Sequence, residues 1–282
     1  SSGYFCVGGY TGNGSNPRAI TSVGFQPDFV MVVRSNANNP TLRSSSQATN
    51  AGANFSTGGE VTDGSFFTTL NSDGFTIGSG NNSNGGVYYY LAFKDLDEYV
   101  ATGTYTGNAT DNRSITGVGF EPDFVLTKNI TAANTASRRV RGHFNAVRGD
   151  STSSLSHAVV NATDVIQQME SDGFQVGATD IANGSGDTIY YLALGGTPTP
   201  TGSGTYSFNT GTYTGTGTSQ AITGVGFKPD LVIIKQVGTE NAVFSTSVMA
   251  SGNTANLGNT SADFTGGLDS FDSDGFTVET NS

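Results

Sequence analysis

Tryptophan is absent from this chain, cysteine occurs once, histidine twice, and only 12% of the residues are charged. Each shortage closes off a class of function. Cys6 has no partner with which to form a disulfide inside the chain. With His143 and His157 as the only histidines, no His/Cys metal set can be assembled. Twelve Lys and Arg against twenty-three Asp and Glu leave a net charge of −11. That balance supplies none of the clustered cations that nucleic-acid phosphates or an anionic membrane surface demand. No apolar run approaches the about 20 residues of a membrane span. The opening Ser1-Ser2-Gly3-Tyr4 lacks the basic and apolar stretches of a signal peptide. Long runs of Ala, Leu, Glu and Lys are also missing, so little helix is expected.

What the chain does have is forty glycines and 10% aromatic residues, set among Ser, Thr and Asn. Gly and Asn between β-branched and aromatic runs is what many short strands joined by tight turns require. The fold class expected is all-β.

One phrase occurs three times. Gly9-Tyr10-Thr11-Gly12 leads to Ala19-Ile20-Thr21-Ser22-Val23-Gly24-Phe25-Gln26-Pro27-Asp28-Phe29-Val30. Thr104-Tyr105-Thr106-Gly107 leads to Ser114-Ile115-Thr116-Gly117-Val118-Gly119-Phe120-Glu121-Pro122-Asp123-Phe124-Val125. Thr212-Tyr213-Thr214-Gly215 leads to Ala221-Ile222-Thr223-Gly224-Val225-Gly226-Phe227-Lys228-Pro229-Asp230-Leu231-Val232. A second phrase follows each time: Ser72-Asp73-Gly74-Phe75, Ser171-Asp172-Gly173-Phe174 and Ser273-Asp274-Gly275-Phe276. In the first two copies it is followed in turn by an Asn/Gly/Ser tract (Gly80 to Gly86, Asn183 to Gly186), read as a hairpin loop, and a tyrosine-rich strand. Those strands are Val87-Tyr88-Tyr89-Tyr90-Leu91-Ala92-Phe93 and Ile189-Tyr190-Tyr191-Leu192-Ala193-Leu194.

The repeat turn signature is Pro27-Asp28, Pro122-Asp123 and Pro229-Asp230. Proline presets φ and lacks an N–H, so it belongs just before a ladder begins. The apolar run after it predicts a strand buried on both faces. Ser-Asp-Gly-Phe predicts a tight turn with glycine at a positive-φ site. Asp in such turns ordinarily hydrogen-bonds its own backbone, and the recurring aspartates are assigned that role. Three tandem antiparallel β-sandwiches of jelly-roll or lectin type follow: repeat 1 over 10–98, repeat 2 over 99–196, a Pro/Thr/Gly linker over 197–204, and repeat 3 over 205–282.

The third copy has no tyrosine-rich strand after Val278. The chain starts, however, with Tyr4-Phe5-Cys6-Val7-Gly8-Gly9, which reads like Tyr90-Leu91-Ala92-Phe93 and like Tyr191-Leu192-Ala193-Leu194-Gly195-Gly196. Residues 1–9 are therefore expected to be a circularly permuted strand that completes repeat 3. Cys6 then falls where Ala92 and Ala193 stand, as a small buried hydrophobe. Tyr4, Phe5, Cys6 and Val7 become the assembly strand, closing a ring within the chain or donated to the next chain, unless the sequence is a window cut from a longer array. Of the first two arrangements the second is favoured, because a linear array with a Pro-Thr linker does not easily bring its ends together.

No catalytic residues are expected, and no metal or cofactor. The recurring aspartates lack the clustered Asp-x-Asp spacing of a calcium loop. Arg138, Arg139, Arg141 and Arg148 have no counterpart in the other copies; they are read as a solvated loop face or as a binding loop for an anionic sugar or partner. Arg148-Gly149-Asp150 spells an integrin-type tripeptide, a weak match at three residues. The segments between the two phrases, where the copies differ most, are candidate recognition loops. The tyrosines of the final strands are candidate sugar-stacking faces, with core packing as the plainer reading.

The string Ile-Thr-Gly-Val-Gly-Phe-x-Pro-Asp-x-Val, with Val147-Arg148-Gly149-Asp150 and Ser-Asp-Gly-Phe, resembles a repeat domain of tailed-phage virion proteins and related bacterial surface proteins. There it occurs in tail-fibre-like or appendage components, often in tandem, with a concanavalin-like sandwich. That resemblance implies a setting outside the cell, at the cell surface or in a virion, and a structural role without enzymatic chemistry. The expected partners are the chain itself, as a homo-oligomer or filament, other virion or appendage proteins, and surface glycans. The function expected is a subunit of an extracellular or virion fibre, joined head-to-tail by strand complementation; the alternative is a receptor- or glycan-binding module.

Overall fold

A computed structural model describes residues 3–36, 39–56, 58–132, 141–144, 149–159, 161–195, 206–258 and 263–280. It is nearly all antiparallel β, in three repeats that each carry a large and a small sheet. In repeat 1 the large sheet runs Phe5–Thr11, Val87–Phe93, Phe29–Arg34, Thr41–Ser44, Gly52–Asn54, Glu60–Val61. The small sheet runs Arg18–Ile20, Gly74–Ile77, Phe67–Asn71. Repeat 2 matches it, with Val100–Thr106, Thr188–Leu194, Phe124–Asn129, Arg141–Phe144 and Ser153–Ser154 in the large sheet and Arg113–Thr116, Gly173–Val176 and Ile166–Glu170 in the small one.

The two phrases prove to be stitched together. Asp73, on the two-residue turn between Phe67–Asn71 and Gly74–Ile77, accepts the amides of Gly24 (2.7 Å) and Ser22 (3.1 Å). Asp172 does the same for Gly119 and Gly117, and Asp274 for Gly226 and Gly224. The aspartates of Ser-Asp-Gly-Phe thus cap the other phrase about fifty residues away rather than their own turn. The glycine after each aspartate has φ between +140° and +149°, a region closed to side chains.

These hydrogen bonds hold the three carboxyls below their ordinary value of 3.8. A depressed folded pKa stabilises above the unfolded value and is lost as pH falls through the lower folded one. The melting temperature should therefore hold between pH 7 and 5 and fall below about pH 4. Asp172→Asn should narrow that fall, and a melting temperature flat to pH 2.5 would contradict the assignment.

The strand expected to be buried on both faces is so in repeats 1 and 2, whereas Leu231–Ile234 of repeat 3 is mostly half-buried. Phe29, Met31 and Val33 point away from the small sheet of repeat 1, whereas Val30 and Val32 point towards it. The second burial comes from the other repeats. One core holds Phe29, Met31, Phe55, Leu91 and Phe93 of repeat 1, Phe124, Leu126, Leu155, Leu192 and Leu194 of repeat 2, and Tyr206, Phe244, Met249 and Leu257 of repeat 3. Lys128 Nζ donates to the Ser56 carbonyl (3.1 Å), and Tyr190 Oη donates to Glu60 (3.2 Å). Ser35 Oγ donates to Asp263 (2.6 Å), and the Tyr99 and Tyr206 rings lie 6.4 Å apart. All three pairs of repeats are thus in contact. They gather around a common centre, which corrects the expected linear array.

The placement of the N-terminal strand is also corrected. Tyr4, Phe5, Cys6 and Val7 do not complete repeat 3. Phe5–Thr11 is the edge strand of repeat 1, paired with Val87–Phe93 in the register Phe5↔Phe93, Cys6↔Ala92, Val7↔Leu91. Its equivalent is Val100–Thr106, paired with Thr188–Leu194. The likeness to Tyr90–Phe93 is the likeness of hydrogen-bonded neighbours, both apolar on two faces. Repeat 1 therefore starts with this strand and not at residue 10, and there is no circular permutation. Cys6 is buried beside Ala92, as a small hydrophobe would be.

Two smaller expectations change. The Asn/Gly/Ser tracts carry the chain from the small sheet to the large one, so they are crossovers between sheets and not hairpin loops. The divergent middle segments supply Leu42, Ala53, Phe55, Leu155, Phe244 and Leu257 to the common core, so much of their variation is packing. The 197–204 linker lies outside the described residues.

Candidate assembly site

The tyrosine-rich strand is the middle of the large sheet in repeats 1 and 2. Val87–Phe93 pairs with Phe5–Thr11 on one side and Phe29–Arg34 on the other; Thr188–Leu194 likewise lies between Val100–Thr106 and Phe124–Asn129. One face of it turns Tyr89, Leu91 and Phe93, or Tyr190, Leu192 and Leu194, into the common core. The opposite face turns Tyr88, Tyr90 and Ala92, or Ile189, Tyr191 and Ala193, into the repeat's own core. These tyrosines are core residues, with Tyr88, Tyr90, Tyr190 and Tyr191 all buried.

Repeat 3 is built from Leu231–Ile234, Val243–Thr246, Asn253–Asn256 and Phe264–Thr265 in one sheet, with Gln220–Thr223, Gly275–Val278 and Leu268–Asp272 in the other. No strand among the described residues stands in the tyrosine-rich position. Among the described residues, Leu231–Ile234 pairs only with Val243–Thr246. Residues 206–215, equivalent to the two edge strands, form no ladder. They are anchored at one end, where Tyr206 is buried and stacks on Phe208 with ring centroids 6.5 Å apart.

The core of repeat 3 is open to match. Ile20, Val23, Phe25 and Phe75 in repeat 1, and Ile115, Val118, Phe120 and Phe174 in repeat 2, are buried. Their counterparts Ile222, Val225, Phe227 and Phe276 are only half-buried. Leaving several large apolar side chains part-way in water sacrifices roughly 25 cal/mol for each Å² of apolar surface not covered.

Local details show what the covering element does in the closed repeats. A Cβ on Gly8 would collide with the Tyr90 ring, and one on Gly103 with the Tyr191 ring; Gly211, at the same position, has nothing within 4 Å. Gly12 and Gly107 are pressed by the crossover backbone at Ser83 and Gly184, whereas Gly215 again has nothing within 4 Å. Arg18 Nη1 donates to Asn82 Oδ1 in the crossover (3.0 Å), and Arg113 Nη1 does so to Asn183 Oδ1 (3.0 Å). Gln220 replaces these arginines, and its buried Oε1 has no partner. The amides of Asp28 and Asp123 donate to the carbonyls of Phe93 and Leu194 (2.7 and 2.9 Å). Asp230 stands in that position with no final strand beside it.

Of the other residues singled out in the sequence, Pro27, Pro122 and Pro229 each stand two residues before a large-sheet strand, as a turn into the ladder requires. Arg138, Arg139 and Arg148 lie outside the described residues. Arg141 begins the strand Arg141–Phe144, so it is not in a loop, and its side chain lies outside the described set. Among the described residues no group of three or more His, Cys, Asp or Glu is placed to hold a metal ion, and no helix is long and apolar enough to cross a membrane.

A family model described as Domain of unknown function (DUF7483) matches residues 1–97, 95–193 and 203–282. The chain is made of DUF7483 domains. The first match starts at residue 1, in agreement with the strand Phe5–Thr11 belonging to repeat 1. No curated protein and no solved structure matches the chain. In DUF7483 terms, the first two domains carry the tyrosine-rich strand in the middle of the large sheet.

An open β edge exchanges its amides more readily than a paired one. Hydrogen–deuterium exchange should show the amides of Leu231–Ile234 exchanging at least about tenfold faster than those of Phe29–Arg34 and Phe124–Asn129. Equal protection in all three would mean that the edge is already covered.

Proposed function

We propose that this chain is a non-enzymatic structural subunit of an extracellular or virion fibre or appendage, joined to its neighbours by β-strand complementation. The observation that supports this reading is the tandem repetition of one β-sandwich unit, whose three copies share a core. A sheet edge offers main-chain hydrogen bonds that a partner strand uses. The extracellular or virion setting rests on the resemblance of the Gly-Phe-x-Pro-Asp and Ser-Asp-Gly-Phe phrases to tail-fibre-like and appendage repeats. With Phe5–Thr11 engaged in repeat 1, the joint does not run through residues 4–7.

The test is fractionation of the source culture into particulate appendages or virions, free extracellular protein and cell interior, with the chain followed by mass spectrometry. Recovery in the particulate fraction, and release on loss of repeat 3, is the expected outcome. A chain found only as a monomer in the cell interior would overturn the proposal.

A glycan-binding role has one observation in its favour, a cavity of about 210 Å³ in repeat 1 bordered by Arg34, Asn39, Asn54, Phe66 and Tyr88. Asn81 also borders it, but its amide is already bonded to Thr41 and to the Phe66 carbonyl. A glycan array read with wild type and Arg34→Ala separates the two roles: binding lost in the variant supports the cavity, and a blank array removes it.

A further inference from the structure

The cavity of repeat 1 is not a general property of this sandwich, because three of the residues that border it are replaced in repeat 2. Shared hydrogen bonds fix the alignment. Arg18 and Arg113 donate to Asn82 and Asn183, and Tyr10 and Tyr105 donate to the carbonyls of Asn81 and Ala182. Gly80 therefore stands where repeat 2 has Ile181, which packs against the core of its own repeat. A Cβ at Gly80 would lie only 2.9 Å from the Phe66 ring, so any side chain there would intrude on a cavity wall. The ladders set Arg34 opposite Tyr88, and Asn129 opposite Ile189. Repeat 1 thus has glycine, tyrosine and arginine where repeat 2 has isoleucine, isoleucine and asparagine, and all three border the cavity. In repeat 3 the counterpart of Arg34 is Gln236.

The cation is backed by fixed rings. The Arg34 guanidinium lies 5.8 Å from the centroid of the Tyr88 ring. That ring is 1% exposed, stacks on Tyr10 at 4.9 Å and 7°, and its hydroxyl accepts the Ser83 amide (3.0 Å). Arg18 in turn lies over Tyr10 at 5.3 Å. Asn39, Asn54 and Phe66 continue the border, and no carboxylate side chain among the described residues joins it. At about 210 Å³ the space is smaller than the pockets of drug-sized ligands and suits a single small ring. A planar guanidinium matches a carboxylate through two parallel N–H bonds. Carboxamides give and accept hydrogen bonds with hydroxyls, and an aromatic ring packs on the apolar face of a sugar.

We propose that this cavity binds one carboxylate-bearing sugar unit, a uronic acid residue of a glycan. Its carboxylate meets Arg34, its hydroxyls meet Asn39 and Asn54, and its ring lies against Phe66. The proposal rests on the reading of the cavity as a glycan site and adds the class of glycan. Repeat 2 has none of the three residues that distinguish the cavity, so one ligand per chain is expected.

The probes are D-glucuronic acid, its methyl glycoside and D-glucose, titrated into the full chain by isothermal titration calorimetry and saturation-transfer NMR. Glucuronic acid should bind at one site, about tenfold or more tighter than glucose. The methyl glycoside, which mimics attachment in a glycan, should bind as well as the free acid. Arg34→Gln should abolish the preference for the acid over glucose. Asn39→Asp, an isosteric change that sets a like charge beside the ligand, should abolish it too, with a melting curve that matches wild type. Glucose binding as tightly as glucuronic acid would overturn the acidic ligand and leave the glycan reading standing. Exclusion of the methyl glycoside alone would support the acid and remove the glycan. A preference for the acid that survives both substitutions would place the ligand elsewhere and defeat the proposal. No binding of any probe would overturn both readings.

Discussion

Gly103→Val is expected to lower the unfolding free energy by about 1–3 kcal/mol, with Gly8→Val close to it, while Gly211→Val stays within about 0.5 kcal/mol of wild type. The substitution is the same and the three positions are equivalent in sequence, so propensity for the strand cannot explain a difference. What differs is the neighbour. At position 103 a new Cβ meets the Tyr191 ring, which cannot swing away because Phe174 holds it edge-on from the core side. Relief requires pushing Val100–Thr106 off Thr188–Leu194, and that breaks a seven-residue ladder. At position 211 none of the described residues lies within 4 Å of a new Cβ. Urea or thermal unfolding of the three variants measures the contrast. A Gly211→Val variant as damaged as Gly103→Val would mean that residues 206–215 lie against a covering element.

This contrast also marks how far the sequence could be read. The three-fold repeat, the all-β class, the turn before each Pro-Asp strand and the two-sided burial of Phe29–Val33 are carried by local chemistry: proline without an N–H, glycine at positive φ, and an unbroken apolar run. What fills the second face of Phe29–Val33 is not, because an apolar side chain looks the same whether it packs on its own repeat or on a neighbour. The same ambiguity misplaced residues 4–7. An edge strand and its central partner each turn apolar side chains to both faces, so Tyr4–Val7 resembles Tyr90–Phe93 as closely as a true equivalent would. The signal that separates them was present: setting Gly8-Gly9-Tyr10-Thr11-Gly12 against Gly103-Thr104-Tyr105-Thr106-Gly107 puts Phe5 on Val100 and leaves no strand to spare.

Phe244→Ala is expected to lower the stability of the whole chain by about 3–5 kcal/mol, in a single transition. Phe244 is 1% exposed and sits in the core shared by all three repeats. Repeat 3, among the described residues, leaves Ile222, Val225, Phe227 and Phe276 only half-buried. Its folded state therefore depends on the common centre more than that of repeats 1 and 2. Removing the ring leaves a cavity bordered by residues of different repeats, and the loss is felt by each. In a row of independent sandwiches the same substitution would depress one transition and leave two in place. Differential scanning calorimetry distinguishes the cases. One peak moved to lower temperature supports the shared core, and a residual peak at the wild-type temperature would show that repeats 1 and 2 fold without repeat 3.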